Sequence, residues 1–139
     1  MKLITRDIDY AIRALCCIAK NKKDLISTRE LINCLNMPKP FLRKILQVLN
    51  KKGLVRSYKG KNGGFSLAKH PDKISLEELI NIFQGPITLS DHTFKKKPCP
   101  HSRACKIKKR IGRIERLLIT ELKYITISSL INRKSRRHD

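Results

Sequence analysis

With 139 residues and 40% hydrophobic content, the chain is long enough to bury one core without disulfide staples. Its formal net charge of +21 is far from that of an ordinary soluble enzyme and calls for an anionic partner: nucleic acid, an anionic membrane or an acidic protein. No apolar run approaches the roughly 20 residues of a membrane-spanning helix, and Ala14 to Ala19 is too short and too crowded by Arg6, Asp7, Asp9 and Arg13 for an export signal.

A first helix is predicted from about Asp7 to Lys20, where Ile8, Ala11, Ile12, Leu15 and Ile18 recur at helical spacing. Asn21 to Ile26 reads as a polar connector. Ser27-Thr28-Arg29-Glu30 is a capping-box sequence that opens a short helix through Leu35. Asn36-Met37-Pro38 makes a tight turn, and the next helix starts at Pro38 or Lys39. That helix carries Phe41, Leu42, Ile45, Leu46, Val48 and Leu49 on one face and stops at Gly53. The period then changes: Leu54 to Tyr58 and Phe65 to Leu67 flank Lys59-Gly60-Lys61-Asn62-Gly63-Gly64, a hairpin signal. Ser75-Leu76-Glu77-Glu78 caps a further helix ending at Gly85-Pro86. A linker follows to about Cys105, and a long helix runs on to about Tyr124, with Ile107, Ile111, Ile114, Leu118, Leu122 and Ile125 along one seam. A capped turn from Thr126 to Ile131 closes the order.

A short helix, a tight turn and a second helix is the geometry that lays the second helix in a major groove. The fold class expected is therefore mainly α with a small β-hairpin wing: a winged helix-turn-helix plus a long C-terminal dimerisation helix. The outward face of the second helix holds Lys39, Arg43, Lys44 and Gln47. Arginine and glutamine can each make bidentate contacts to base edges. Thr28 in the preceding helix and Arg56, Lys59, Lys61 and Asn62 in the wing complete the candidate DNA-contact set. Between Leu31 and Pro71 there are nine Lys or Arg residues and no Asp or Glu, whereas ordinary surfaces mix charge signs. A solvated lysine face on simple core architecture explains any one of these residues, but not the whole pattern. The glycine-rich loop joins strands and lacks the Gly-Lys-Ser/Thr entry into a helix of a nucleotide-binding loop.

Five cysteines, an odd number without an export signal, suit a reducing cytoplasm. Cys16, Cys17 and Cys34 lie among apolar neighbours and read as small core residues. Cys99 and Cys105 stand in a polar, cationic segment, the setting in which thiols ligate metal or are oxidised. Their Cys-x5-Cys spacing alone is a weak metal signal.

Together, these residues resemble the IscR- and NsrR-type iron–sulfur regulators of the Rrf2 family over almost the whole chain. Met1-Lys2-Leu3 with Asp9-Tyr10-Ala11-Ile12-Arg13-Ala14-Leu15 is similar to that family's opening helix. Lys52-Gly53-Leu54-Val55 and Gly60-Lys61-Asn62-Gly63-Gly64-Phe65 are similar to its recognition-helix exit and wing. Cys99-Pro100 to Cys105, the long helix, and Tyr124 to Leu130 are similar to its cluster loop and dimer helix. The resemblance implies a homodimeric transcription factor, often a repressor, whose promoter binding is controlled by an iron–sulfur cluster of the [2Fe-2S] or [4Fe-4S] type. Cys99 and Cys105 match the second and third cluster cysteines, and Asp9 matches the carboxylate supplied across the dimer in NsrR-like members. The first cysteine is absent. Asp91-His92-Thr93 stands in its place, with His92 the substitute ligand and His101 the second candidate.

The expected division is a winged helix-turn-helix DNA-binding region over 1–85 and a cysteine-containing sensor loop over 86–106. A dimerisation helix with a C-terminal turn covers 107–131, and a disordered basic tail 132–139. Two other functions share the charge pattern: a cluster-free regulator of the same fold using Cys99 and Cys105 as a thiol switch, and a sequence-indifferent nucleic-acid-binding protein. No Ser-His-Asp set, carboxylate pair or nucleotide loop suggests an enzyme. The expected partners are double-stranded DNA, at an operator with two half-sites, and a second copy of the chain; no membrane is expected.

Overall fold

The structure, a computed structural model, describes residues 2–90 and 105–132. The expectations for His92, Cys99, His101, most of the sensor loop and the tail beyond Asn132 fall outside the described residues.

Helix α1 (Arg6–Lys20) is the element around which the others gather. Asp7 and Asp9 in its first turn and Lys20 in its last complement the helix dipole. Ile8, Ala11, Ala14, Leu15 and Ile18 form its buried face. Helix α2 (Thr28–Leu35) begins at Ser27, whose hydroxyl accepts the Glu30 N–H at 3.1 Å. Only half of the reciprocal box forms, because the Glu30 carboxylate accepts from the Ser27 hydroxyl instead of its amide. Asn36, in the left-handed conformation at φ 51°, turns the chain sharply, and Met37 is buried beneath the turn. Helix α3 (Lys39–Lys51) follows, with Pro38 as its cap and a second proline, Pro40, in its first turn. Leu42, Ile45, Leu46 and Leu49 anchor it to the core.

Strands β1 (Val55–Tyr58) and β2 (Gly64–Leu67) form an antiparallel hairpin in register from Val55 opposite Leu67 to Tyr58 opposite Gly64. The supposed polar connector contributes to this sheet: Ile26 exchanges both backbone hydrogen bonds with Phe65, at 3.0 and 2.8 Å. Glycine is required at position 64 by that approach, since a Cβ there would stand 2.5 Å from the Ile26 carbonyl oxygen. The hairpin base is thereby tied to the entry of α2.

A 3-10 turn at Pro71–Lys73 leads to α4 (Leu76–Gln84), capped by Ser75, whose hydroxyl accepts the Glu78 N–H at 3.2 Å. Glu78 spends its carboxylate on Lys69, at 3.0 Å, so this box is also half formed. The long helix α5 (Lys106–Tyr124) and α6 (Ile127–Ile131) complete the described chain. Thr126 and Ser129 form a full capping box at α6. Backbone hydrogen bonds from Leu76 to Ile125 and from Ile127 to Ile74 stitch this end to the start of α4. Ile127, 1% exposed, enters the main core with Leu15, Leu31, Leu42 and Leu49. A second cluster joins Leu122 of α5 to Ile8 and Ile80, with Leu118 and Ile125 packed against it.

The single seam expected on α5 is therefore divided. Leu118, Leu122 and Ile125 turn inward onto α4 and α1, whereas Ile107 and Ile114 are exposed. With Leu117 and Tyr124 they make an uncovered stripe at seven-residue spacings, positions 107, 114 and 117, 124. The architecture is a mainly helical winged helix-turn-helix carrying a two-stranded wing and a long C-terminal helix.

Candidate nucleic-acid interface

The first turn of α2, the outer face of α3 and the tip of the wing surround one open concavity of roughly 880 Å³. Its floor follows from helix arithmetic. Lys39, Arg43, Gln47 and Asn50 recur at intervals of four, four and three, so they share one stripe, opposite the buried Leu42, Ile45 and Leu49. Thr28 and Arg29 supply one wall from the N-terminal end of α2, where helix N–H groups favour an anion. Ser57, Lys59 and Lys61 supply the other.

Of the sequence-predicted contacts, Thr28, Lys39, Arg43, Gln47, Lys59 and Lys61 are brought together here. Three are not among the lining residues. Lys44 lies about 100° around α3 from Arg43, Arg56 alternates with Ser57 across the strand, and Asn62 sits at the tip. All three are exposed beside the concavity. Arg29, Asn50, Ser57 and Tyr58 were not foreseen. Asn50 was discoverable by extending the Arg43–Gln47 stripe one turn, while Ser57 and Tyr58 depended on the face the hairpin presents.

The electrostatics are one-sided. Among the described residues no carboxylate pairs with Lys39, Arg43, Lys44, Arg56, Lys59 or Lys61. Of the nine Lys and Arg in the acid-free segment one is matched by a carboxylate, Lys69, which faces α4, and beside it His70 pairs with Asp72. Arg6 of α1 stacks over the Phe41 ring at 4.6 Å, and Tyr10 meets that ring edge-on with centroids 5.3 Å apart. These contacts tie the first turn of α3, and with it the stripe lining the concavity, to the start of α1.

A profile of the Rrf2 family, described as iron-dependent transcriptional regulators, matches residues 4–133. The chain belongs to the Rrf2 family. It is a transcriptional regulator and not an enzyme. It is 43% identical over 76 residues to an Aquifex aeolicus protein described as an HTH-type transcriptional regulator, a match spanning 55% of this chain and about half, 53%, of that relative. Against the HTH-type transcriptional regulator NsrR of Bacillus licheniformis, identity is 29% over 133 residues, covering 94% of this chain and 92% of the relative. The structure of CymR, the global cysteine regulator of B. subtilis, superposes with a TM-score of 0.74 at 24% identity, over 94% of this chain and 97% of that one. That likeness establishes the fold.

Two residues expected to serve an iron–sulfur cluster are described. Cys105 caps α5, its sulfur accepting the Lys108 N–H at 3.4 Å, the kind of N–H···S contact that tunes cluster thiolates. Asp9 Oδ2 accepts from Arg13 Nε at 3.0 Å, so the carboxylate must leave Arg13 to act as a ligand. Among the described residues of this Rrf2 regulator no three His, Cys, Asp or Glu side chains converge on a metal position. Cys105 therefore fits a ligand's part as it stands, and Asp9 fits only after exchanging partners. The loop that carries Cys105 is tied to α5 at its other end: the Leu89 N–H donates to Glu115 Oε1 at 2.8 Å.

Proposed function

We propose that this Rrf2 regulator acts in the cytoplasm as a homodimeric repressor that reads an operator of two half-sites. In this reading α3 enters the major groove, Arg43 and Gln47 contact base edges, and Thr28, Lys39, Lys59 and Lys61 hold phosphates, with Lys44, Arg56 and Asn62 flanking them. The observation that carries it is the concavity itself, in which bases from α2, α3 and the wing converge with no acid among the described residues lining it. Support for the dimer comes from the exposed stripe of Ile107, Ile114, Leu117 and Tyr124 on α5, which a second α5 would cover in two-fold fashion.

Promoter binding is proposed to respond to an iron–sulfur cluster of the two-iron or four-iron type, which when bound supplies sensitivity to iron supply, redox state or nitric oxide. Cys99 and Cys105 would hold it, with His92 in place of the missing cysteine and Asp9 of the partner subunit as the fourth ligand. Within this chain, the Leu89–Glu115 hydrogen bond ties the start of the ligand loop to the dimer helix, so a change in the loop bears directly on the spacing of two α3 helices.

Footprinting on genomic fragments tests the DNA half. Two protected half-sites about one helical turn apart are expected; binding without a preferred site, but with a steep salt slope, would leave a sequence-indifferent protein. Anaerobic reconstitution with iron quantification tests the sensor half. Iron retained equally by wild type, His92→Ala and Cys99→Ala would overturn the ligand assignment, and an iron-free wild type would overturn the cluster.

A further inference from the structure

Helix α5 has a face that neither the core nor the apolar stripe uses. Seven of its residues are Lys or Arg and two are Glu. Lys106, Lys109, Arg113, Arg116 and Lys123 recur at intervals of three, four, three and seven, with Thr120 in the longer gap. At helical spacing they form one ridge along the whole helix, about 25 Å long. All six residues are exposed. The ridge lies opposite the inward-turned Leu118, Leu122 and Ile125, by which α5 rests on α4 and α1. Among the described residues no carboxylate pairs with any of its five bases. Glu115 accepts from the Leu89 N–H, and Glu121 falls outside the ridge. No residue of α5 lines the concavity formed by α2, α3 and the wing. The molecule therefore carries two basic surfaces with no residue in common.

We propose that the α5 ridge is a second DNA-binding surface, which holds the sugar–phosphate backbone of a duplex other than the one in the concavity. The charges are complementary: a row of unpaired bases meets a duplex that carries one negative charge per roughly 1.7 Å of its axis. Arg113 and Arg116 add planar forks that match pairs of phosphate oxygens. The make-up of the ridge argues against other anionic partners. It holds no aliphatic side chain to enter the acyl boundary of a membrane. It has no apolar centre of the kind that protein interfaces bury, and no aromatic platform on which unpaired bases stack. Backbone contacts alone carry no sequence preference, so this surface takes any duplex. A duplex stiff over about 150 base pairs is not bent round from α3 to α5 without cost, whereas a second duplex meets the ridge unbent. That the duplex is a second one rests on the proposed role of the concavity; that the ridge binds a duplex does not.

The test uses the full-length chain and a short duplex of random sequence, one copy biotinylated on beads and another fluorescent in solution. Protein loaded on the beads at low salt should capture the fluorescent duplex. A ridge variant combines Lys109→Gln, Arg113→Gln, Arg116→Gln and Lys123→Gln, exposed changes to a good helix former that spare Lys106 beside Cys105. It should still load on the beads but capture about tenfold less of the second duplex. A control that loses the same charge elsewhere, through Lys2→Gln, Lys22→Gln, Lys73→Gln and Lys108→Gln, should capture as the wild type does. A concavity variant, Arg43→Ala with Lys59→Ala, should still bind the random duplex, and adding the ridge changes should lower its salt slope by about 3–4. If that concavity variant binds all DNA as the wild type does, the proposed operator site fails and the ridge stands. No capture by the wild type, capture retained by the ridge variant, or capture lost equally in the charge control would overturn the proposal. So would capture of a single strand, or of anionic phospholipid vesicles, in preference to the duplex.

Discussion

Gln47 and Lys59 face one concavity with different chemistries, and substitution should separate them. In the proposed complex the Gln47 amide reads a base edge, so Gln47→Ala should weaken binding to the preferred operator by about 1–3 kcal/mol and relax preference at one position. In the same proposed complex the Lys59 ammonium meets phosphate, so Lys59→Ala should weaken all sequences alike and reduce the salt slope by about 1. Fluorescence anisotropy across a salt series, on operator and scrambled duplexes, distinguishes the two. Cys17 makes a separate prediction about stability. Its folded-state thiol is raised from 9.0 to about 12, so above about pH 9 the unfolded chain releases a proton that the folded chain keeps. Stability from this source is complete below pH 9 and falls as pH rises through that window, by up to ~1.4 kcal/mol per pH unit. Urea titrations of the reduced chain at about pH 8 and pH 10 should show a larger loss in the wild type than in Cys17→Ala.

Elements whose limits are written locally are legible in the amino-acid sequence. Ser27, Ser75 and Thr126 announce helix starts, Gly53 and Gly85 announce ends, and apolar period separates α3 from the hairpin. Pairings between distant segments are not legible there. Ile26 looks like loop in its own neighbourhood, and its partner Phe65 is set by how the wing folds back over α2. The same holds for α5, where period identifies an apolar seam, yet only contact with Ile8 and Ile80 decides that Leu122 is covered and Ile114 is not. The candidate site is legible on α3, where one stripe follows from one period, and less so on the wing, where Ser57 lines the concavity and Arg56 does not. Gly64 tests the wing as an element. Gly64→Ala presses a methyl group on the Ile26 carbonyl and should destabilise by about 1–3 kcal/mol. Hydrogen exchange should localise the loosening to Ile26 and Phe65, with α5 unaffected.

At the scale of the whole molecule, a net charge of +21 opposes bringing two copies together, so in the proposed homodimer the attraction falls to the apolar stripe on α5. Leu117 is 59% exposed at the middle of that stripe, and in the proposed homodimer Leu117→Glu should convert dimer to monomer in sedimentation experiments without lowering monomer stability. Operator affinity should fall steeply because each monomer then reads one half-site. The stitching of Ile127 to Ile74, and its burial in the core with α1, also bears on the order in which the core can close. Among the described helices α1 comes first in the chain and α6 last, yet they share one core. A nascent chain halted after the wing has the residues of the candidate interface but an open socket where Ile127 belongs. Closure of the core therefore waits for α6, and a product truncated after the wing should be cleaved by proteases faster than the full chain.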